Sequence, residues 1–146
     1  NGALTLGTMD GANVEIAEAV GQENIYIFGE SSAQVIRRYR HGDYCAREWY
    51  DIDSNIRRAV NFLTGSEMLT RGSRDHLQNE LIQKDWFQTL PDFNAYLVRK
   101  SQALADYALN PLDWTRRALV NISKAGFFSS DRTIAEYNND IWHLGI

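Results

Sequence analysis

The chain has 146 residues, enough for one compact domain and too few for two, and its 44% hydrophobic and 23% charged content is that of an ordinary globular protein. The formal charge of −4, with Lys and Arg scattered in short pairs such as Arg37-Arg38, Arg57-Arg58 and Arg116-Arg117, argues against the basic face that nucleic-acid binding requires. No apolar run approaches the roughly 20 residues that cross a bilayer.

The first 29 residues read as strand, helix, strand. Ala3 to Gly7 is a short apolar and β-branched run, a buried-strand pattern. Asp10 can offer a side-chain oxygen to the free N–H groups of a helix beginning near Gly11, with Val14 and Ala17 on one face and a stop at Gly21. Ile25 to Phe28 is a second apolar strand, closed by Gly29. Short connections of this kind imply a parallel βαβ unit.

Helical patterns fill the remainder. Ser31 or Ser32 is placed to cap a helix that turns Val35, Ile36 and Tyr39 inward and ends near Gly42. Ile52, Ile56, Ala59, Val60 and Leu63 follow the spacing of one amphipathic helix ended by Gly65. A weaker helix covers roughly Arg74 to Ile82. Pro91 precedes a helix with Phe93, Leu97, Leu104 and Ala108 aligned. Asn110-Pro111 reads as an N-cap followed by proline at the first helical position, with Asp113 adding favourable negative charge to that turn. That helix ends near Gly126, and Ser130 caps a last one with Ile134, Tyr137 and Ile141 on one face. The expected architecture is α/β: one βαβ unit over 1–29, then five or six helices over 30–146, together one partial domain. Two strands alone do not make a sheet with a core. With Asn1 opening directly onto an apolar strand, this points to a fragment whose other strands lie upstream.

The residues give little chemistry of their own. His41, His76 and His143 lack a partner three or four residues away, so no helix presents a metal pair. Asp51-Ile52-Asp53-Ser54-Asn55 opens like a calcium loop but has Ile56 where glycine is needed and Phe62 where the bidentate glutamate belongs. Gly7-Thr8-Met9-Asp10-Gly11 sits between strand and helix as a phosphate loop would. It lacks the glycine spacing and the lysine of such loops, and Asp10 would repel a phosphate, so it reads as a tight turn. Trp49, Trp86, Trp114 and Trp142 lie beside aliphatic residues and suit packing better than sugar stacking. The single cysteine, Cys45, fits a reducing compartment.

Three blocks carry a resemblance. The run Asn1-Gly2-Ala3-Leu4-Thr5-Leu6-Gly7-Thr8-Met9-Asp10-Gly11-Ala12-Asn13-Val14-Glu15 is similar to the segment after the cofactor lysine of the α-glucan phosphorylases of glycogen, starch and maltodextrin. Ile27-Phe28-Gly29 follows at the expected distance. The tail then matches at Asn110-Pro111, Trp114-Thr115-Arg116, Asn121-Ile122, Phe128 through Tyr137, and Ile141-Trp142. From about Cys45 to Leu90 only helical, aromatic character matches, and the loop from Gly65 to Gly72 departs from the animal enzymes.

The resemblance implies the end of the second Rossmann-like domain of a two-domain, GT-B-like glycosyltransferase, with the final helices returning toward the first domain. It implies a cytoplasmic homodimer that cleaves α-1,4-glucan with orthophosphate to give α-glucose 1-phosphate. It further implies pyridoxal phosphate held as a Schiff base, with the cofactor's phosphate group handling protons. The family lysine lies in a Gly-Asn-Met-Lys-Phe-Xaa-Leu-Asn pattern whose last residue matches Asn1, so the lysine is expected upstream. Lys84, Lys100 and Lys124 lie in no such context, and no catalytic or directly cofactor-binding residue is carried over. Thr8, Asp10 and Asn13 either brace the cofactor segment from behind or form a purely structural turn. The alternative is a segment of another glycosyltransferase of the same architecture, or a helical interaction module without chemistry.

Overall fold

The computed structural model describes residues 2–68 and 73–145. Asn1 and the part of the Gly65–Gly72 loop over 69–72 lie outside the described residues. Strands β1 (Leu6–Thr8) and β2 (Tyr26–Phe28) pair in parallel, with Leu6 opposite Tyr26 and Thr8 opposite Phe28. Helix α1 (Ala12–Val20) connects them, so the expected βαβ unit is present. The first strand is displaced from its expected span, Ala3 to Gly7. Ladder pairing begins only at Leu6, although the Thr5 carbonyl already accepts the Tyr26 N–H at 2.9 Å.

Seven α-helices follow among the described residues, more than the five or six expected. They are α2 (Ser32–His41), α3 (Ala46–Ile52), α4 (Ser54–Leu63), α5 (Arg74–Asn79), α6 (Thr89–Leu109), α7 (Pro111–Lys124) and α8 (Ser130–Tyr137). Most of the excess comes from Asp53. Its Oδ1 accepts the N–H groups of Asn55 at 2.8 Å and Ile56 at 3.1 Å, so it ends α3 and caps α4. The break removes Ile52, 84% exposed, from the stripe that Ile56 and Val60 bury. Those bonds hold the Asp53 carboxyl below its usual range, the Ile56 N–H contributing most. Its stabilisation is therefore present above the unfolded carboxylate pKa and lost as pH falls through the folded value. Asp53→Ala is expected to cost about 0.5–2 kcal/mol, read by denaturant unfolding at neutral pH, with the difference shrinking in acid.

Other caps follow local chemistry more closely. Ser31 and Gln34 form a reciprocal capping box, and Gly42 ends α2 in the left-handed conformation at φ 65°. Pro111 opens α7, but Asn110 makes no side-chain cap bond. Ser129, not Ser130, caps α8, its Oγ accepting from the Arg132 N–H.

Two apolar clusters result. Ala17, Val20 and Ile25 gather Ile16, Ile27 and Val120 where α1 and α7 meet β2. Ala46, Ile56, Val60, Ile82 and Leu90 gather Trp49, Tyr50 and Phe93 where α3, α4 and the start of α6 meet. Helix α6 spans 21 residues, about 30 Å at 1.5 Å per residue, and reaches from the second cluster to the strands. There Arg99 Nε donates to the Ile27 carbonyl at 2.8 Å, and Asp106 accepts the Tyr26 hydroxyl at 2.8 Å.

Ile36 and Tyr39 of α2, expected inward, are exposed, as are Leu104 and Ala108 of α6. The tail face of Ile134, Tyr137, Ile141 and Trp142 is open as well. Arg57 and Arg58 are both exposed, but the other two arginine pairs split. Arg37 is exposed, whereas Arg38 is half-buried in a pair with Glu30; Arg116 is exposed, whereas Arg117 is 6% exposed. No helix among the described residues is long and apolar enough to cross a membrane.

Candidate functional site

In a parallel sheet the crevice beyond the carboxyl ends of the strands is the usual ligand position. Here that edge carries an open cleft of about 330 Å³ between the β1–α1 turn, the start of α2 and the loop before α6. Thr8, Asp10, Glu30, Ser32, Phe87 and Asp92 are among its lining residues.

The turn after β1 is built by its small residues. Asn13 folds back so that its Nδ2 donates to the Thr8 carbonyl at 2.9 Å. A Cβ on Gly7 would stand 2.4 Å from that same nitrogen, so glycine there makes room for the bond. Gly11 occupies the N-cap position of α1 at φ 48° and has no side-chain cap bond. This corrects the capping role expected of Asp10, which is exposed and contributes its backbone carbonyl to the Asn13 N–H at 3.0 Å. The three residues singled out from sequence therefore meet as Thr8 and Asn13 bonded within one turn, with Asp10 on the cleft rim.

Asp92, Glu30 and Gly29 form the opposite side. Asp92 Oδ1 accepts the Glu30 N–H at 2.9 Å. Gly29 has φ 84°, and a Cβ there would lie 2.7 Å from the Asp92 carboxylate. Glycine is thus needed for both the backbone conformation and the close approach. A distant aspartate in the first turn of α6 leaves no local pattern near β2, and only the spacing of Gly29 after Phe28 hinted at a constraint. Burial raises the Asp92 carboxyl above its usual range. The charges of Glu30 and Asp10 act in the same direction, while the Glu30 N–H and Arg38 oppose them.

A raised carboxyl pKa means that Asp92 weakens the fold as pH rises through its unfolded and then its folded value. Asp92→Asn, which keeps an oxygen for the Glu30 N–H, is expected to raise the melting temperature at neutral pH and to match the wild type below the carboxylate range. A parallel thermal-unfolding pH series checks this.

The cofactor implied by the resemblance does not fit this cleft. Asp10, Glu30 and Asp92 face it with negative charge, and among the described residues no lysine or arginine lines it. Lys84 pairs with Glu80 at 2.5 Å, Lys100 lies over the Tyr96 ring at 5.5 Å, and Lys124 lines a separate surface pocket with Glu15, Glu18 and Phe127. Among the described residues no group of His, Cys, Asp and Glu is arranged to hold a metal ion.

Comparison with known proteins adds a family relation. The model of the family described as "Carbohydrate phosphorylase" matches residues 1–144. The chain is 56% identical over 147 residues to the maltodextrin phosphorylase of Streptococcus pneumoniae serotype 4, covering 99% of this chain and 19% of that protein. It is 43% identical over 144 residues to the brain form of glycogen phosphorylase of Bos taurus, covering 97% of this chain and 17% of the relative. It is 40% identical over 148 residues to the glycogen phosphorylase of Bacillus subtilis strain 168, covering 99% of this chain and 18% of the relative. The chain thus spans about a fifth of the length of these relatives.

Proposed function

The chain belongs to the carbohydrate phosphorylase family, and we propose from that premise that it is the C-terminal segment of a pyridoxal-phosphate-dependent α-1,4-glucan phosphorylase. The whole enzyme transfers a glucosyl unit from the glucan end to orthophosphate, giving α-glucose 1-phosphate and a shortened glucan. The observation that carries this reading is the collinear likeness of residues 1–144 to one family, with the same relation to both maltodextrin and glycogen phosphorylases.

In this reading the cofactor lysine and the groups that touch substrate belong to polypeptide preceding Asn1. Bound there, the cofactor would supply a phosphate group able to take and give a proton. This chain supplies one partial Rossmann-like domain of a GT-B-like, cytoplasmic, homodimeric enzyme. Residues 1–29 carry the end of its sheet and residues 30–146 its helical part. The acidic character of the Thr8–Asp92 cleft supports keeping the anionic cofactor elsewhere. Thr8 and Asn13 act by fixing the turn behind the strand.

The open tail supports a contact with the remainder of the polypeptide. Ile134, Tyr137, Ile141 and Trp142 are exposed, and the Tyr137 and Trp142 rings stand 5.5 Å apart on that surface. Burying one such aromatic against the first domain would contribute about 1.5–3 kcal/mol.

The test uses borohydride reduction of the protein at its natural length, followed by peptide mapping. A phosphopyridoxyl lysine is expected outside residues 1–146. A stoichiometric adduct on Lys84, Lys100 or Lys124 would contradict the assignment. The 146-residue chain alone is expected to release no glucose 1-phosphate, because the reacting groups must be held together across a cleft.

A further inference from the structure

A second cavity of about 290 Å³ lies away from the strand edge, between α2, Tyr44 and the segment joining α5 to α6. That segment is one π-helical turn, Glu80–Lys84, followed by two non-glycine residues with left-handed backbone, Asp85 at φ 34° and Gln88 at φ 51°. Such conformations are strained and persist where the surroundings fix them. Here Asp85 fixes them. Its buried carboxylate accepts from the Thr89 N–H at 2.9 Å, the Leu90 N–H at 2.9 Å, the Thr89 hydroxyl at 2.6 Å and the Tyr44 hydroxyl.

Gln88 lines this cavity and is 3% exposed. Its Oε1 accepts from Arg38 at 2.8 Å, while its Nε2 has no hydrogen-bond partner among the described residues. A buried donor left unpaired carries its desolvation penalty uncompensated, so an acceptor that reaches it is favoured. Trp86, 66% exposed, lines the same cavity beside Tyr39 and offers an aromatic surface. Among the described residues both lining cations are already matched: Arg38 with Glu30 at 2.5 Å and Lys84 with Glu80 at 2.5 Å. With the Asp85 carboxylate also in the wall, an oxyanion would meet no uncompensated positive charge.

We infer that this cavity binds a neutral pyranose unit, its C–H face on Trp86 and a hydroxyl or ring oxygen accepting from Gln88 Nε2. The unit is either a free hexose or one residue of an α-glucan chain. The cavity suits it because it combines an apolar platform with planar polar groups and no surplus charge. The inference stands on these groups alone and holds whether or not the whole protein phosphorolyses glucans.

The test is amide hydrogen exchange of the natural-length protein with glucose, maltotriose or inorganic phosphate as separate probes. At a sugar concentration about ten times Kd, exchange at residues 83–88 is expected to slow by roughly tenfold where opening requires sugar release. Trp86→Ala is expected to abolish that slowing and to leave sugar-induced changes elsewhere in the protein intact. Slowing by both sugars identifies a free-hexose site, and slowing by maltotriose alone identifies a chain site. No slowing with either sugar, slowing with phosphate instead, or slowing that survives Trp86→Ala would overturn the inference.

Discussion

Replacing Arg117 by methionine is expected to destabilise the protein by about 2–4 kcal/mol, among the largest single-residue effects in the chain. Arg117 reaches back from α7 to β2, where its guanidinium stacks over the Tyr26 ring at 4.3 Å and donates to the Tyr26 hydroxyl. That hydroxyl donates in turn to Asp106 Oδ2 at 2.8 Å, and Arg117 Nη1 lies 3.6 Å from the same oxygen. Three elements, β2, α6 and α7, are thereby joined through one buried phenol. Burial, followed by the Asp106 hydrogen bond, raises the Tyr26 pKa, which keeps the phenol protonated and able to donate. Removing Arg117 strips the stack and leaves Asp106 without its cation. The estimate sits below the full buried-pair value because the Asp106 side chain is 30% exposed and remains partly solvated. Arg117→Lys is also expected to destabilise, since an ammonium lacks the planar face. Urea unfolding of the two variants checks both expectations; wild-type midpoints would refute the clasp.

Gly29→Ala is expected to cost about 2–4 kcal/mol, combining left-handed strain with displacement of Asp92 from the Glu30 N–H. The added Cβ would stand 2.7 Å from the carboxylate. A double-mutant cycle separates the two effects. In an Asp92→Ala background the steric part disappears and only the backbone strain remains, so the penalty should fall. An equal cost of Gly29→Ala in both backgrounds would show that the close approach carries no energy.

The sequence was legible where structure is local. Gly42 ends α2, Ser31 and Gln34 box its start, and Pro111 opens α7, all as the residue types dictate. It was illegible where a side chain acts at a distance or a surface lacks its cover. Arg38 and Arg117 look like ordinary solvated arginines in sequence. Their burial depends on Glu30 and Gln88 for one, and on Tyr26 and Asp106 for the other. Asp85 supports the first turn of α6 from outside the usual cap position, through a backbone turn that no residue pattern announces. The Ile52–Leu63 stripe matched one helix in spacing, but Asp53 offered the backbone a competing set of bonds. The apolar faces of α2 and the tail were read correctly as amphipathic. They stay open because no element among the described residues packs over them.

The same division holds for the candidate site. Thr8, Asp10 and Asn13 were singled out through the family resemblance, and in the structure they lie in the turn at the carboxyl edge of β1. Asp92 was not recognisable, because it is 62 residues from the Glu30 N–H that it accepts.

The natural-length protein, incubated with maltoheptaose and orthophosphate, is expected to form α-glucose 1-phosphate. Formation should depend on both phosphate and glucan and be lost when the cofactor is removed. Cleavage of the glucan to free sugar without phosphate incorporation, or full activity in the cofactor-free protein, would contradict the proposed function.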